Sequence, residues 1–233
     1  MNEIKRSLSA CADKEKAKIL QGFFKTGIGQ YGEGDIFLGV VVPKLRKICK
    51  DFWKTISISE IQGMLNSKIH EERLLALFML VEKYKKSEDK EKKEIFEFYL
   101  SNTRNINNWD LVDLSAPNIV GDYLLGTNRR ILYKLVKSKN LWERRISVLS
   151  TFAFIRKGEF EDALKISEIL ISDEHDLIHK AVGWMLREIG KRDLNVLKAF
   201  LKTRYKTMPR TMLRYSIEKF PEDLRKKYLL GEV

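Results

Sequence analysis

The sequence predicts an all-α protein, and three observations carry that prediction. Apolar residues recur at three- and four-residue spacing along most of the chain. Pro occurs only at positions 43, 117, 209 and 221, and Gly is sparse after residue 63. Strand-like alternation is confined to Ile36-Phe37-Leu38-Gly39-Val40-Val41-Val42, a short run in a Gly-rich loop. Taken in order, residues 16–25 read as helix, and 70–86 form a longer one with Leu74, Leu77, Phe78, Val81 and Tyr84 on one face. Residues 89–100, 142–157, 161–171, 178–190 and 194–205 follow by the same spacing.

The helices also repeat. Arg73-Leu74-Leu75-Ala76-Leu77 resembles Arg145-Ile146-Ser147-Val148-Leu149, each after a Glu-containing start. Lys180-Ala181-Val182-Gly183-Trp184 fits that register 35 residues on, Tyr215 falls another 35 beyond, and Asp110 lies 35 before Arg145. A period of roughly 35–40 residues with two helices per unit is the signature of a HEAT-like or armadillo-like solenoid. The expectation is one domain over 1–233, with N-terminal helices and a loop in 1–55 and repeats over 56–233, wound as a right-handed superhelix. Equivalent helices of such a solenoid line one concave surface, so Trp109, Asp113, Arg145, Lys180 and Trp184 are expected to share that lining.

Composition narrows the partner. Hydrophobic residues at 44% and charged residues at 33% describe a globular chain. Lys plus Arg number 44 against 32 for Asp plus Glu, a formal net charge of +12. A basic balance spread along the whole length favours a polyanion: DNA, RNA or an anionic membrane surface. Membrane is the weakest of these, because no apolar run approaches the ~18 residues of a spanning helix. The start, Met1-Asn2-Glu3-Ile4-Lys5-Arg6, lacks a signal-peptide core, so a cytoplasmic chain is expected. Cys11 and Cys49 fit no disulfide or metal framework. Between Phe200 and Ile217 stand Lys202, Arg204, Lys206, Arg210 and Arg214 without an acid, interleaved with Tyr205 and Tyr215. That stretch suits phosphate contacts, or is a solvated basic helix face.

The string Asn108-Trp109-Asp110-Leu111-Val112-Asp113 puts Trp109 and Asp113 on one helix face, one turn apart. A carboxylate beside an indole on a polyanion-binding protein suggests that it meets positive charge there. The bland alternative is a structural ion pair of Asp113 with Arg145, with Trp109, Trp142 and Trp184 in the core. Two other patterns resolve to structure. Gly27-Ile28-Gly29-Gln30-Tyr31-Gly32 spells a dinucleotide fingerprint, but it follows a helix rather than a strand and opens no helix. His175 and His179 stand one turn apart without the Glu or third ligand of a zinc site, and Asp173 and Asp176 mark an ordinary helix start.

Several strings together resemble the AlkD-like DNA alkylation-repair glycosylases. They are Phe37-Leu38-Gly39-Val40 with Pro43-Lys44-Leu45-Arg46, Trp109-Asp110-Leu111-Val112-Asp113, Gly121-Asp122, Trp142-Glu143-Arg144-Arg145, and Lys180-Ala181-Val182-Gly183-Trp184-Met185-Leu186-Arg187-Glu188. The resemblance implies a HEAT-like solenoid acting as a monomer on duplex DNA and removing N3- and N7-alkylated purines without metal or cofactor. It implies that Asp113 is the catalytic carboxylate, that Trp109 and Trp184 are aromatic walls, and that Arg145 fixes a nearby phosphate. Arg144, Lys180, Arg187, Arg210 and Arg214 are the expected further DNA contacts. The N-terminal loop Tyr31-Gly32-Glu33-Gly34-Asp35 departs from the family pattern and is assigned no catalytic aromatic. The segment 207–214 also departs, which leaves substrate range open. The competing reading is a non-catalytic helical-repeat module that binds damaged or branched DNA.

Overall fold

A computed structural model describes residues 2–233. Among them fourteen α-helices and one π-helical turn account for the regular structure, and an isolated bridge between Ile36 and Ile69 is the β pairing present. The apolar run 36–42 therefore forms no strand. The chain divides into two compact units, one running to Ser115 and one from Ala116 to Val233.

The first unit holds α1 (Asn2–Ala10), α2 (Lys14–Phe23), α3 (Val42–Phe52), α4 (Ile58–Leu65), α5 (His70–Lys86), α6 (Asp89–Ser101) and α7 (Trp109–Asp113). Its centre is α5, where every residue from His70 to Val81 is buried. The spacing showed only a stripe on this helix, but α3, α4, α6 and α7 all pack around it. Because α3 packs on α5, the N-terminal helices belong to the same core as the residues after 56. In contrast, α2 buries none of its residues and leaves Ile19 and Phe23 exposed.

The loop between α2 and α3 is fastened by Glu71 at the start of α5. This buried carboxylate accepts the backbone N–H groups of Leu38, Gly39 and Val40 at 2.8–3.1 Å. Gly39 makes the turn possible with φ +81°, and a Cβ there would stand 2.1 Å from the Asp13 carbonyl oxygen. Phe37-Leu38-Gly39-Val40 is thus a structural clasp.

The second unit opens with the π-helical turn Pro117–Gly121. It continues through α8 (Arg130–Leu135), α9 (Leu141–Arg156), α10 (Glu161–Ile169), α11 (Asp176–Gly190), α12 (Leu194–Lys202), α13 (Arg210–Ser216) and α14 (Glu222–Leu230). Helix α9 packs against the π turn, α8, α10 and α11, and α11 in turn packs against α12 and α13. The register residues Arg73, Asp110, Arg145, Lys180 and Tyr215 fall in α5, α7, α9, α11 and α13, which is every second helix. The repeat alignment is off by one, however. Arg73 donates to the Ser67 carbonyl six residues back, and Arg144, not Arg145, does the same to Ser138.

Candidate functional site

Helix α7 is five residues long, and it carries both Trp109 and Asp113. A helix of barely one turn has too few internal hydrogen bonds to hold itself. Its N-terminus is capped by Asn108, whose Oδ1 accepts the Trp109 N–H at 2.8 Å, while Asp110 Oδ1 accepts the Leu111 N–H at 2.9 Å. Both capping side chains are tied to a buried polar network. Asp110 Oδ2 lies 2.8 Å from His70 Nε2, and His70 Nδ1 lies 3.1 Å from Asp35 Oδ2. Asn108 Nδ2 reaches the same Asp35 oxygen at 3.3 Å, and the other Asp35 oxygen accepts from Arg73 at 2.7 Å.

The network sets protonation. Burial alone would discharge the His70 imidazolium, but the hydrogen bond and charge of Asp110, then Asp35, outweigh it and raise the group to about 9. Burial would raise Asp35 too, yet bonding to His70 and the Arg73 charge hold its carboxyl below the usual range. Both imidazole nitrogens therefore donate at neutral pH.

Trp109 is half-buried in an aromatic row. Its ring stacks on Phe24 with centroids 5.0 Å apart and planes 9° from parallel, and Phe24 stacks on Phe37 at 4.9 Å. Phe23, 62% exposed, meets the indole edge-on at 5.9 Å. Asp113, one turn on, is half-buried. It stands close to Tyr99, whose phenol is raised first by burial and further by that carboxylate. Sequence reasoning assigned no catalytic aromatic to the N-terminal loop and did not single out Phe23 and Phe24, whose rings pack against Trp109. The available signal was a pair of adjacent phenylalanines ending a helix just before the Gly-rich loop.

In the second unit Arg145 corrects an expectation. It is 4% exposed, and its guanidinium donates to the Leu177 carbonyl at the start of α11. It is therefore enclosed where an open lining residue was expected, because neighbouring elements surround α9 on several sides. Arg144 is held by Asp173 at 2.7 Å and by the Ser138 and Lys139 carbonyls. Lys180 pairs with Asp176 at 2.7 Å, and Arg187 pairs with Glu218. Trp184 is half-buried and tilted against Phe152 at 5.9 Å, and Arg156 covers that ring at 4.0 Å. Arg210 is exposed and donates to the Leu229 carbonyl at 2.6 Å, and Arg214 is exposed.

The remaining patterns have local roles. His175 Nδ1 accepts the Leu177 N–H as the cap of α11, and His179 Nε2 bonds the Asp173 carbonyl. Residues 27–32 lie in a chain of turns, where the Gly29 N–H donates to Glu33 at 2.9 Å. Cys49 is buried and Cys11 half-buried, and both are free thiols.

Residues 4–220 match the family described as "DNA alkylation repair enzyme". The chain belongs to the DNA alkylation repair enzyme family. Its fold is shared with solved structures of low identity. A predicted DNA alkylation repair enzyme from Enterococcus faecalis aligns at TM-score 0.72 and 16% identity, covering 91% of this chain and 97% of that one. AlkD2 from Streptococcus mutans aligns at TM-score 0.54 and 19% identity, covering 90% and 99%. No curated protein matches. In this DNA alkylation repair protein, Trp109 and Asp113 share one short helix of the first unit, while Arg145, Lys180 and Trp184 share the packed pair α9 and α11 of the second. A carboxylate one turn from an aromatic row can stabilise a cation held against that row.

Proposed function

We propose that the protein is a DNA glycosylase that hydrolyses the N-glycosidic bond of N3- and N7-alkylated purines in duplex DNA without metal or cofactor. The observation that carries this reading is Asp113, half-buried, one turn from Trp109 in its row of stacked rings. Alkylation at N3 or N7 makes the purine cationic, so it leaves neutral with the electron pair of the broken bond. No strong general acid is required, unlike glycoside cleavage by paired carboxylates. Positive charge grows instead on the deoxyribose, and a fixed carboxylate stabilises it electrostatically. Water then supplies the hydroxyl at C1′ and loses its proton to solvent.

Trp109 in the first unit offers an aromatic face that favours cationic sugar or base, and Trp184 offers another in the second unit. In the second unit Arg145 holds the first turn of α11, the helix that carries Lys180 and Trp184.

The test is Asp113→Asn, which keeps size and removes charge. Release of 7-methylguanine or 3-methyladenine from alkylated duplex should fall by roughly a hundredfold or more. Affinity for the duplex should hold or rise, because a repulsive charge leaves a polyanion-binding protein. A folded Asp113→Asn protein that releases base at the parental rate overturns the assignment and leaves a non-catalytic DNA-binding repeat module.

A further inference from the structure

The chemistry just described uses none of the buried groups behind α7. Asp110 is 6% exposed, His70 is 1% exposed, and Asp35 and Arg73 are buried with them. Enclosing two carboxylates, an imidazolium and a guanidinium is costly. Apolar residues of similar volume often serve stability as well or better. What such a network supplies that an apolar core does not is direction, because each bond constrains an angle as well as a distance.

The direction imposed here is that of α7. Asn108 and Asp110 each use one side-chain atom on the backbone of α7 and another on the network. His70 is the hub: it belongs to α5, reaches Asp110 of α7 with one nitrogen and reaches Asp35 of the loop with the other. The charged groups facing it are those two carboxylates and Arg73 from the next turn of α5. Phe37 stacks against the imidazole at 4.5 Å, and Phe24, the ring beneath Trp109, lies at 4.9 Å. The hub therefore touches both supports of the α7 pair, namely the cap of their helix and the aromatic row under the indole.

We propose that His70 is a positioning residue whose imidazolium, bridging Asp35 and Asp110, orients α7 and so sets Trp109 and Asp113 for base release. The inference rests on the glycosylase reading above and deepens it. It requires the doubly donating imidazolium. A neutral ring donates through one nitrogen only and leaves the other lone pair facing a carboxylate.

The experiment is single-turnover release of 3-methyladenine from alkylated duplex against pH, corrected for uncatalysed release, with affinity for the same duplex measured alongside. In the parental protein the rate should fall as pH rises through about 9, where His70 loses its proton. Asp110→Asn keeps the acceptor for the Leu111 N–H but removes the strongest support for the imidazolium. Its rate should drop tenfold or more with affinity within about twofold, and its alkaline fall should move at least one pH unit lower. A merely structural role would change the melting temperature and leave the profile of the folded protein where it was. Should Asp110→Asn fail to fold, the parental profile decides the matter, since a flat rate between pH 8 and 10 overturns the proposal. Parental rate and profile in a folded Asp110→Asn variant overturn it as well, and Asp113→Asn inactive beside them would leave the glycosylase reading standing. An inactive parental protein sinks both.

Discussion

Arg145 is buried on α9, and its guanidinium donates to the Leu177 carbonyl at the start of α11. Its position on a periodic helix was legible, and so was its proximity to Trp142, which is buried. Its exposure was not, because periodicity ranks the faces of a helix without telling how many of them neighbours cover. Arg145→Ala would remove its bond to the Leu177 carbonyl and empty a buried volume, so it should cost about 2–4 kcal/mol by chemical denaturation. An exposed lining residue would cost no more than about 0.5 kcal/mol, and a value that small would return Arg145 to the surface. The His70 hub was hidden for a different reason. Asp35, His70 and Asp110 stand 35 and 40 residues apart, and each looks ordinary in its own segment.

Apolar spacing located half of the α-helices, with α5 at residues 70–86 and α11 within two residues of its start, while the shortest ones escaped it. The true repeat register was also written in the chain, as Ser67-Lys68-Ile69-His70-Glu71-Glu72-Arg73 and Ser138-Lys139-Asn140-Leu141-Trp142-Glu143-Arg144. The two copies share contacts: in each, the Ser hydroxyl oxygen accepts the N–H two residues on, and the Arg returns to the Ser carbonyl. Aligning on apolar residues instead of these polar anchors slipped the match by one. The contact of α11 with α13 depends on a glycine that propensity alone would disfavour. A Cβ on Gly183 would stand 2.5 Å from Tyr215 Cβ and 2.6 Å from the Met212 carbonyl oxygen. Ala is the better helix former by about 1 kcal/mol, yet overpacking of this kind typically costs about 1–3 kcal/mol. Because backbone as well as side chain must shift, Gly183→Ala should be net destabilising and lower the melting temperature. An unchanged or higher melting temperature would mean that α11 and α13 stand further apart than described.

At the scale of the whole molecule the charge of +12 survives folding, but it is not spent evenly. Carboxylates offset several cations that the sequence offered as DNA contacts: Asp173 faces Arg144, Asp176 faces Lys180, Glu218 faces Arg187, and Glu168 faces Arg204. Of these four acids only Glu168 reaches the acid-free stretch 200–217, through the fold, whereas Asp176 and Lys180 are an i,i+4 pair on α11. Arg210 differs, because a carbonyl holds its guanidinium in place without neutralising it. Lys202, Lys206 and Arg214 of the same stretch are exposed as well, which makes these cations candidates for phosphate contact. Binding to duplex DNA should therefore weaken steeply with salt, and Arg210→Ala and Arg214→Ala should each flatten the slope of log affinity against log salt by about one unit. Arg204→Ala, with its charge already offset by Glu168, should leave that slope nearly unchanged. Equal flattening by all three would show that the Glu168 pair opens on DNA, whereas no change with Arg210 or Arg214 would place the phosphate contacts elsewhere on the protein.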